Sequence, residues 1–268
     1  MKTRIDLDTT ESSHKGIQGL FEKLLRKFKS FTHMALMFPV YIVAISTLGV
    51  CLVPGVSLFR FASELTAAKP ALIQNLAYGL SIAFGYLAYG VCLIFVVPAI
   101  NFAIRGKLKP WRGPYYSNEA VHWMLHNFLT YMVRFTFLEC VTPSPLSVLF
   151  YKMMGMKVGR GAAINTTWIS DPSLIELGEK VTLGGSVTLV AHYGQAGFLV
   201  ISPVKIGNGC TIGLKAIIMG GVEIGDGAKV LPGSVVMPKT VIPPGETWGG
   251  VPAQRLTIAE PSAIKKIA

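Results

Sequence analysis

From Val200 to Trp248 the chain keeps a period of six. Val200, Ile206, Ile212, Ile218, Ile224, Val230, Val236, Ile242 and Trp248 fall in phase. Four residues after most of them stands a small residue or a valine: Cys210, Ala216, Val222, Ala228, Ser234 and Thr240. Glycine often follows the first position, as in "IGNGCT", "IGLKAI" and "IGDGAK", and earlier members are "VGRGAA" at Val158, "LGEKVT" at Leu177 and "LGGSVT" at Leu183. Nine positions in phase do not arise by chance, and a fixed short period specifies a solenoid. The branched residue points into a narrow axis. The small residue lets the backbone turn a corner, and glycine takes corner conformations that a Cβ would hinder. The phase breaks around Asp171–Pro172 and again between His192 and Val200. Breaks in a solenoid are loops, and loops carry function.

The first half follows another rule. Hydrophobic residues make up 51% of the 268 and charged residues only 15%, against about 25% charged in a soluble domain. The excess apolar residues need somewhere other than a water-facing surface. Met34–Phe59 runs 26 residues without a charge, and Ala71–Ile104 runs 34. A membrane span needs about 20, so both predict transmembrane helices. The first starts too far into the chain and is too long for a cleaved signal peptide. Lys2, Arg4, Lys15, Lys23, Arg26, Lys27 and Lys29 precede the first run, and Arg105, Lys107, Lys109 and Arg112 follow the second. Only Arg60 and Lys69 lie between. This imbalance puts both ends in the cytoplasm.

Ahead of the first run, Ile17, Leu20, Phe21, Leu24, Leu25 and Phe28 recur at helical spacing. Lysines and an arginine take much of the other face, which predicts an interfacial helix on an anionic leaflet. The net charge of +11 is thereby placed at a membrane surface rather than on nucleic acid. Ala120–Val133 is apolar but too short to span. His122 and His126 share one helical face, and without a third ligand they do not make a metal site. Cys51, Cys92, Cys140 and Cys210 show no metal spacing and read as reduced thiols.

The six-residue repeat resembles that of left-handed parallel β-helices, in which three hexads make one triangular coil, and Val158–Trp248 allows about five coils. Most proteins with this repeat resemble acyltransferases that use coenzyme A thioesters. The ending "SPVKIGNGCTIGLKAIIMGGVEIGDGAKVLPGSVVMPKTVIPPGETWGGVPAQRL" looks like the sugar O-acetyltransferase branch. The stretch from about Ala71 to Ala253 also resembles the membrane-bound C-terminal part of poly-ε-lysine-synthetase-like nonribosomal peptide synthetases. It includes "GKLKPWRGPYY" and "DPSLIELG". Adenylation and carrier domains are not among these residues, so no poly-lysine activity is expected. The resemblance makes His192, the only histidine after His126, the general base. It sets Asp171, Asn165 and Thr166 against the acceptor. It puts the oxyanion near the amides of Gly213 and Leu214, and the thioester donor along Lys215, Pro232, Ser234 and Lys239. The family usually has alanine at the position of Pro232, where its N–H bonds the pantetheine arm, and proline has no N–H. Histidine titrates in the range a base needs, and direct transfer requires no serine or cysteine nucleophile. A zinc site of three histidines, seen on related repeats, is set aside because this half has one.

The expectation is therefore an α+β chain. An interfacial helix (1–33), two transmembrane helices (34–104) and a membrane-proximal connector (105–156) precede a left-handed β-helix acyltransferase domain (157–268). The expected protein is a homotrimer in the bacterial cytoplasmic membrane with its catalytic domain facing the cytoplasm. Its donor is acetyl- or acyl-CoA, or a carrier-protein thioester, with no metal. Its acceptor is a lipid-linked or amphipathic hydroxyl or amine, with a synthetase or carrier protein as a partner. A non-catalytic membrane scaffold is the alternative.

Overall fold

The computed structural model describes residues 10–12, 14–104 and 107–257. Lys2, Arg4 and Arg105 of the charge pattern, and residues 258–268 of the expected C-terminal domain, lie outside the described residues. The chain forms two compact units. One is helical and holds residues up to 108, together with 113–141 and 149–154. The other is the repeat unit and holds 109–112, 142–148 and the residues from 155 on. The connector expected as a single segment is thus divided between them.

In the helical unit, α1 (Gly16–Phe28) buries Leu25 but leaves Ile17, Leu20, Leu24 and Phe28 exposed. Helices α2 (Ser30–Thr66) and α3 (Ala71–Ala103) are each long and apolar enough to cross a membrane. Helix α2 overruns its uncharged run at both ends, passing Arg60 and Glu64 to Thr66, while α3 stops one residue short of its own; Pro70 stands between them. There the Gln74 side-chain amide donates to the carbonyls of Ala67 (3.2 Å) and Lys69 (2.9 Å). The hairpin closes tightly at Gly55 and Gly85. A Cβ built on Gly85 would lie 3.0 Å from the Gly55 Cα, so each glycine lets the other backbone approach.

Helix α4 (Asn118–Val133) is capped by Ser117, whose Oγ accepts from the Ala120 N–H at 3.2 Å. It runs on through a π-helical turn, Arg134–Leu138. There Arg134 is buried over the rings of Phe135 and Tyr131, 4.8 and 5.8 Å from their centroids. His126 is buried with its Nδ1 3.0 Å from the Asn101 Oδ1, a structural link between α3 and α4. Burial pushes the Tyr151 phenol well above its usual range.

The repeat unit is the parallel β-helix that the hexads predict. One face stacks Lys157–Val158, Ile175–Leu177, Val204–Ile206, Glu223–Ile224 and Val241–Ile242. The second stacks Ala163–Ile164, Thr182–Leu183, Thr211–Ile212, Lys229–Val230 and Thr247–Gly250. The third stacks Ile169–Ser170, Thr188–Val190, Ile217–Ile218 and Val235–Val236. Ile206 pairs with Ile224, and Ile224 with Ile242, a step of 18 residues each. The axial residues Ile206, Ile212, Ile218, Ile224, Val230, Val236 and Ile242 are all buried. At the corners the backbone takes positive φ at Gly209, Lys215, Gly221, Gly227, Gly233, Lys239 and Gly245, again every six residues.

Two in-phase residues depart from the axial role. Trp248 keeps register opposite Val230 but is half-exposed, and it pairs on its other side with Arg255 of an antiparallel strand, Ala253–Arg255. Val200 is in phase by count, yet it sits in an antiparallel hairpin, His192–Gln195 against Phe198–Ile201, where it pairs with Tyr193. The coil resumes at Val204, so Leu177 to Ile206 is a step of 29 rather than 18.

The outer surfaces of the three faces differ. On the first, Lys157, Glu176, Lys205 and Glu223 stack in register with alternating sign, with ion pairs at 2.6 and 3.4 Å. The second carries Thr182, Thr211 and Lys229. The third carries no charge: Ile217 and Val235 are half-buried on it, and Met237 at its end is exposed.

Candidate active site

The third face ends at a corner where both breaks of the sequence phase meet. In the first coil Asp171 follows Ile169–Ser170 and adopts the left-handed conformation, φ 59° and ψ 46°. Aspartate is among the few residues that tolerate it. In the second coil the chain leaves the prism at Ala191, and Ser202 closes the excursion by donating its N–H to the Ala191 carbonyl at 2.8 Å. His192 is therefore the first residue of the hairpin and stands directly beside Asp171.

The Asp171 carboxylate is fully buried. Its Oδ2 accepts the Ala191 N–H at 3.0 Å and lies 2.6 Å from the His192 Nδ1. An ionised carboxylate only accepts, so this contact places the imidazole proton on Nδ1 and the lone pair on Nε2. The His192 side chain is 21% exposed. Asp171 was expected against an acceptor; its carboxylate is fully buried and engaged with His192 and the Ala191 N–H.

In the third coil the same edge holds Gly220. A Cβ built there would lie 3.0 Å from the His192 N and 3.1 Å from the Ala191 carbonyl carbon. Only glycine lets the next coil stack this closely on the histidine. The Gly220 N–H makes no hydrogen bond among the described residues, which leaves a donor beside the dyad. The sequence reading missed Gly220. Its signal was the doubled "GG" of "IIMGGV" one coil after the insertion. Lys239 lies on the same edge in the fourth coil and donates its N–H to the Gly220 carbonyl at 3.1 Å.

The remaining expected residues lie on the next edge of the prism, across the third face. Asn165 is exposed there. Thr166 is buried, donating its hydroxyl to the Val187 carbonyl at 2.7 Å and accepting the Trp168 N–H at 3.1 Å, so it shapes the corner and does not bind an acceptor. The Gly213 N–H is spent on the Val230 carbonyl at 2.8 Å and cannot serve an oxyanion. The Leu214 N–H makes no hydrogen bond among the described residues, and Leu214 is 51% exposed. Lys215 is exposed at its corner. Ser234 is buried, its Oγ donating to the Leu231 carbonyl at 2.7 Å and accepting the Gly250 N–H at 3.3 Å, which removes it from donor binding. Pro232 is tolerated because it sits at a corner position that gives no N–H to the ladder. It packs one coil beyond Gly213 and Leu214.

Among the described residues no three His, Cys, Asp or Glu side chains converge as a metal site. Cys210 is buried inside the prism, and burial pushes its thiol above the usual range. It is an axial filler, remote in character from a nucleophile.

Comparison with known proteins bears on this arrangement. Residues 203–238 match the family described as the hexapeptide repeat of succinyl-transferase. Over 113 residues, 42% of the chain, the protein is 29% identical to a δ-poly-L-ornithine synthetase of Acinetobacter baumannii, covering 8% of that protein. Over 143 residues, 50% of the chain, it is 32% identical to serine acetyltransferase of Escherichia coli, covering 46% of it. A hexapeptide-repeat-containing acetyltransferase of Vibrio cholerae, solved with acetyl coenzyme A, is 19% identical with a TM-score of 0.41, over 57% of this chain and 96% of that one. The chain spans less than half the length of the two curated relatives. The expected likeness to hexapeptide-repeat acyltransferases, and to part of a poly-amino-acid synthetase, is thus found. The family match lies within the repeat, and the relatives' substrates are their own.

Proposed function

We propose that this hexapeptide-repeat protein is a membrane-anchored acyltransferase. It moves an acetyl or longer acyl group from a coenzyme A or carrier-protein thioester to a hydroxyl or amine on a lipid-linked or amphipathic acceptor. The observation that carries the reading is the 2.6 Å contact of His192 Nδ1 with the buried Asp171, at a corner of a hexapeptide β-helix. Asp171 fixes the tautomer and stabilises the imidazolium that forms. His192 Nε2 takes the proton from the acceptor as its oxygen or nitrogen attacks the thioester carbonyl. The Gly220 N–H serves the developing oxyanion. When the C–S bond breaks, the imidazolium returns its proton to the leaving thiolate. The thioester supplies the activated acyl group, and the chain's own residues supply proton transfer and placement.

The reading includes a homotrimer. In one chain the dyad and the exposed corner of Leu214, Lys215 and Pro232 lie on two edges separated by the uncharged third face. Packing that face against another copy would bring one subunit's dyad to the other's second edge, completing a shared site. Helices α2 and α3 anchor the protein with both ends in the cytoplasm, where thioester donors are made, which the Lys and Arg pattern supports.

The test is direct. Purified protein incubated with acetyl-CoA and a membrane lipid extract should release thiol and label one lipid-soluble product. Native mass spectrometry in detergent should give a trimer. No thiol release with any acyl-CoA or carrier thioester would leave a scaffold as the remaining role, and monomers alone would remove the shared site.

A further inference from the structure

Within the helical unit a cavity of about 280 Å³ lies among α2, α3 and α4, and no lining residue carries a polar side chain. Val40 and Val43 wall it on one side, Ile100 on another, Met124 and Phe128 on a third. Two of its walls are the helices long and apolar enough to cross a membrane. Val121 and Met124 are also walls of a second cavity of about 270 Å³, lined by Tyr115, Tyr116 and Trp123. The two share Val121 and Met124 as walls, one purely apolar and the other aromatic with polar tips. From Val121 to Phe128 the groove follows α4 for about 10 Å.

The first turn of α4 lies against the start of α1. The first turn of α4 is tied to α1 through Asn118, which donates to the Gln18 carbonyl at 3.1 Å. Glu119 adds a second tie, 3.0 Å from the His14 Nε2. Helix α1 and its flanks expose Lys15, Lys27 and Lys29.

We propose that these cavities are a lipid site. One hydrocarbon chain of an anionic membrane lipid fills the groove, and its polar end lies at Tyr115, Tyr116 and Trp123 within the field of the α1 lysines. A groove lined only by hydrocarbon side chains offers water no hydrogen-bond partner, and leaving it empty forfeits dispersion contacts. Tyrosine and tryptophan sit where chain gives way to headgroup, and clustered lysines draw anionic headgroups. The inference rests on the membrane reading above and gives it a ligand class: a lipid held by one chain and by its charge.

The test uses the full-length protein in mild detergent, delipidated and titrated with phosphatidylglycerol or phosphatidylcholine, with bound lipid counted by native mass spectrometry. One phosphatidylglycerol should be retained per chain, and phosphatidylcholine should bind about tenfold more weakly. Met124→Trp and Val40→Phe fill the groove from opposite walls. Each should weaken retention about tenfold, the equivalent of losing contact with two methylenes. Leu80→Trp, on an exposed stretch of α3, should leave it unchanged. Equal retention by all three variants, or none by the wild type, overturns the site in favour of lipid bound at random along the spans. Phosphatidylglycerol retained by a protein that transfers no acyl group supports the lipid site while ending the enzyme reading, so the two fail separately.

Discussion

The two units are built inside out with respect to each other. In the repeat unit Ile212, Ile218 and Val236 are fully buried, and Lys157, Glu176, Lys205 and Glu223 ladder the outside. In the helical unit Phe38, Ile45, Leu72 and Ile82 are 63–82% exposed, while His126, Asn101, Glu22 and Arg134 are buried. Each of these four has a contact: His126 with Asn101, Glu22 with Arg26 at 2.7 Å, and Arg134 with the rings beside it. Burial without such partners costs more than folding can spare. One chain thus buries its apolar side chains in one unit and exposes them along α2 and α3 in the other, as the proposed membrane anchoring requires.

That contrast can be broken from either side. The largest effect belongs to the prism axis. Ile212→Ala should cost about 2–5 kcal/mol by leaving a void in a closed coil, read as an earlier midpoint in thermal unfolding. A cut of comparable residue volume on the outside of α3, Leu72→Ala, should leave that transition where it was. Next comes the dyad. Asp171→Asn keeps the shape but loses the charge that orients His192, and turnover should fall roughly 10²-fold with little change in the KM for the donor. A raised KM with unchanged kcat would return Asp171 to binding. Third is the hairpin crossing. Gly85→Leu must push α3 off Gly55, costing about 1–3 kcal/mol, seen as weaker protection of α2 and α3 amides in hydrogen exchange. Unchanged protection would mean the two helices do not need their close approach. The smallest effect is at Pro232. Pro232→Ala restores one corner N–H, worth about 0.5–1.5 kcal/mol net if a free acyl-CoA uses it. An unchanged Kd for acyl-CoA points to a carrier-bound donor.

The repeat unit was legible to the residue because its period is written in side chains: Ile206, Ile212 and Ile218 fix both fold and register. What the period could not show was where an in-phase residue leaves the axis. Val200 counts correctly and still lies in a hairpin, since a break of phase reveals an insertion but not its ends. The site was half legible. His192 stood out as a lone polar residue at a break. Asp171 was singled out for its place in the chain but not for its contact with His192, because contacts between coils join residues about 20 apart and sequence spacing does not say which side chains turn inward. Nor does spacing show that the polar atoms of Thr166, Gly213 and Ser234 are engaged within corners and ladders. Gly220 was overlooked because glycine at a corner is common in this repeat, and only the stacked coil shows which one lies under the histidine. In the helical unit composition gave the two long helices but not their crossing at Gly55 and Gly85, nor the π turn at Arg134–Leu138.

The central claim is that the hairpin corner does chemistry with His192 as its base, oriented by Asp171. The measurement is the rate of acyl transfer by His192→Ala in protein shown to be folded, with the wild-type oligomeric state. A general base contributes about 10²–10⁴-fold. The account predicts a fall of that size, with donor affinity kept, because the side chain at 192 lies outside the axial packing. Near wild-type transfer by folded His192→Ala would contradict it.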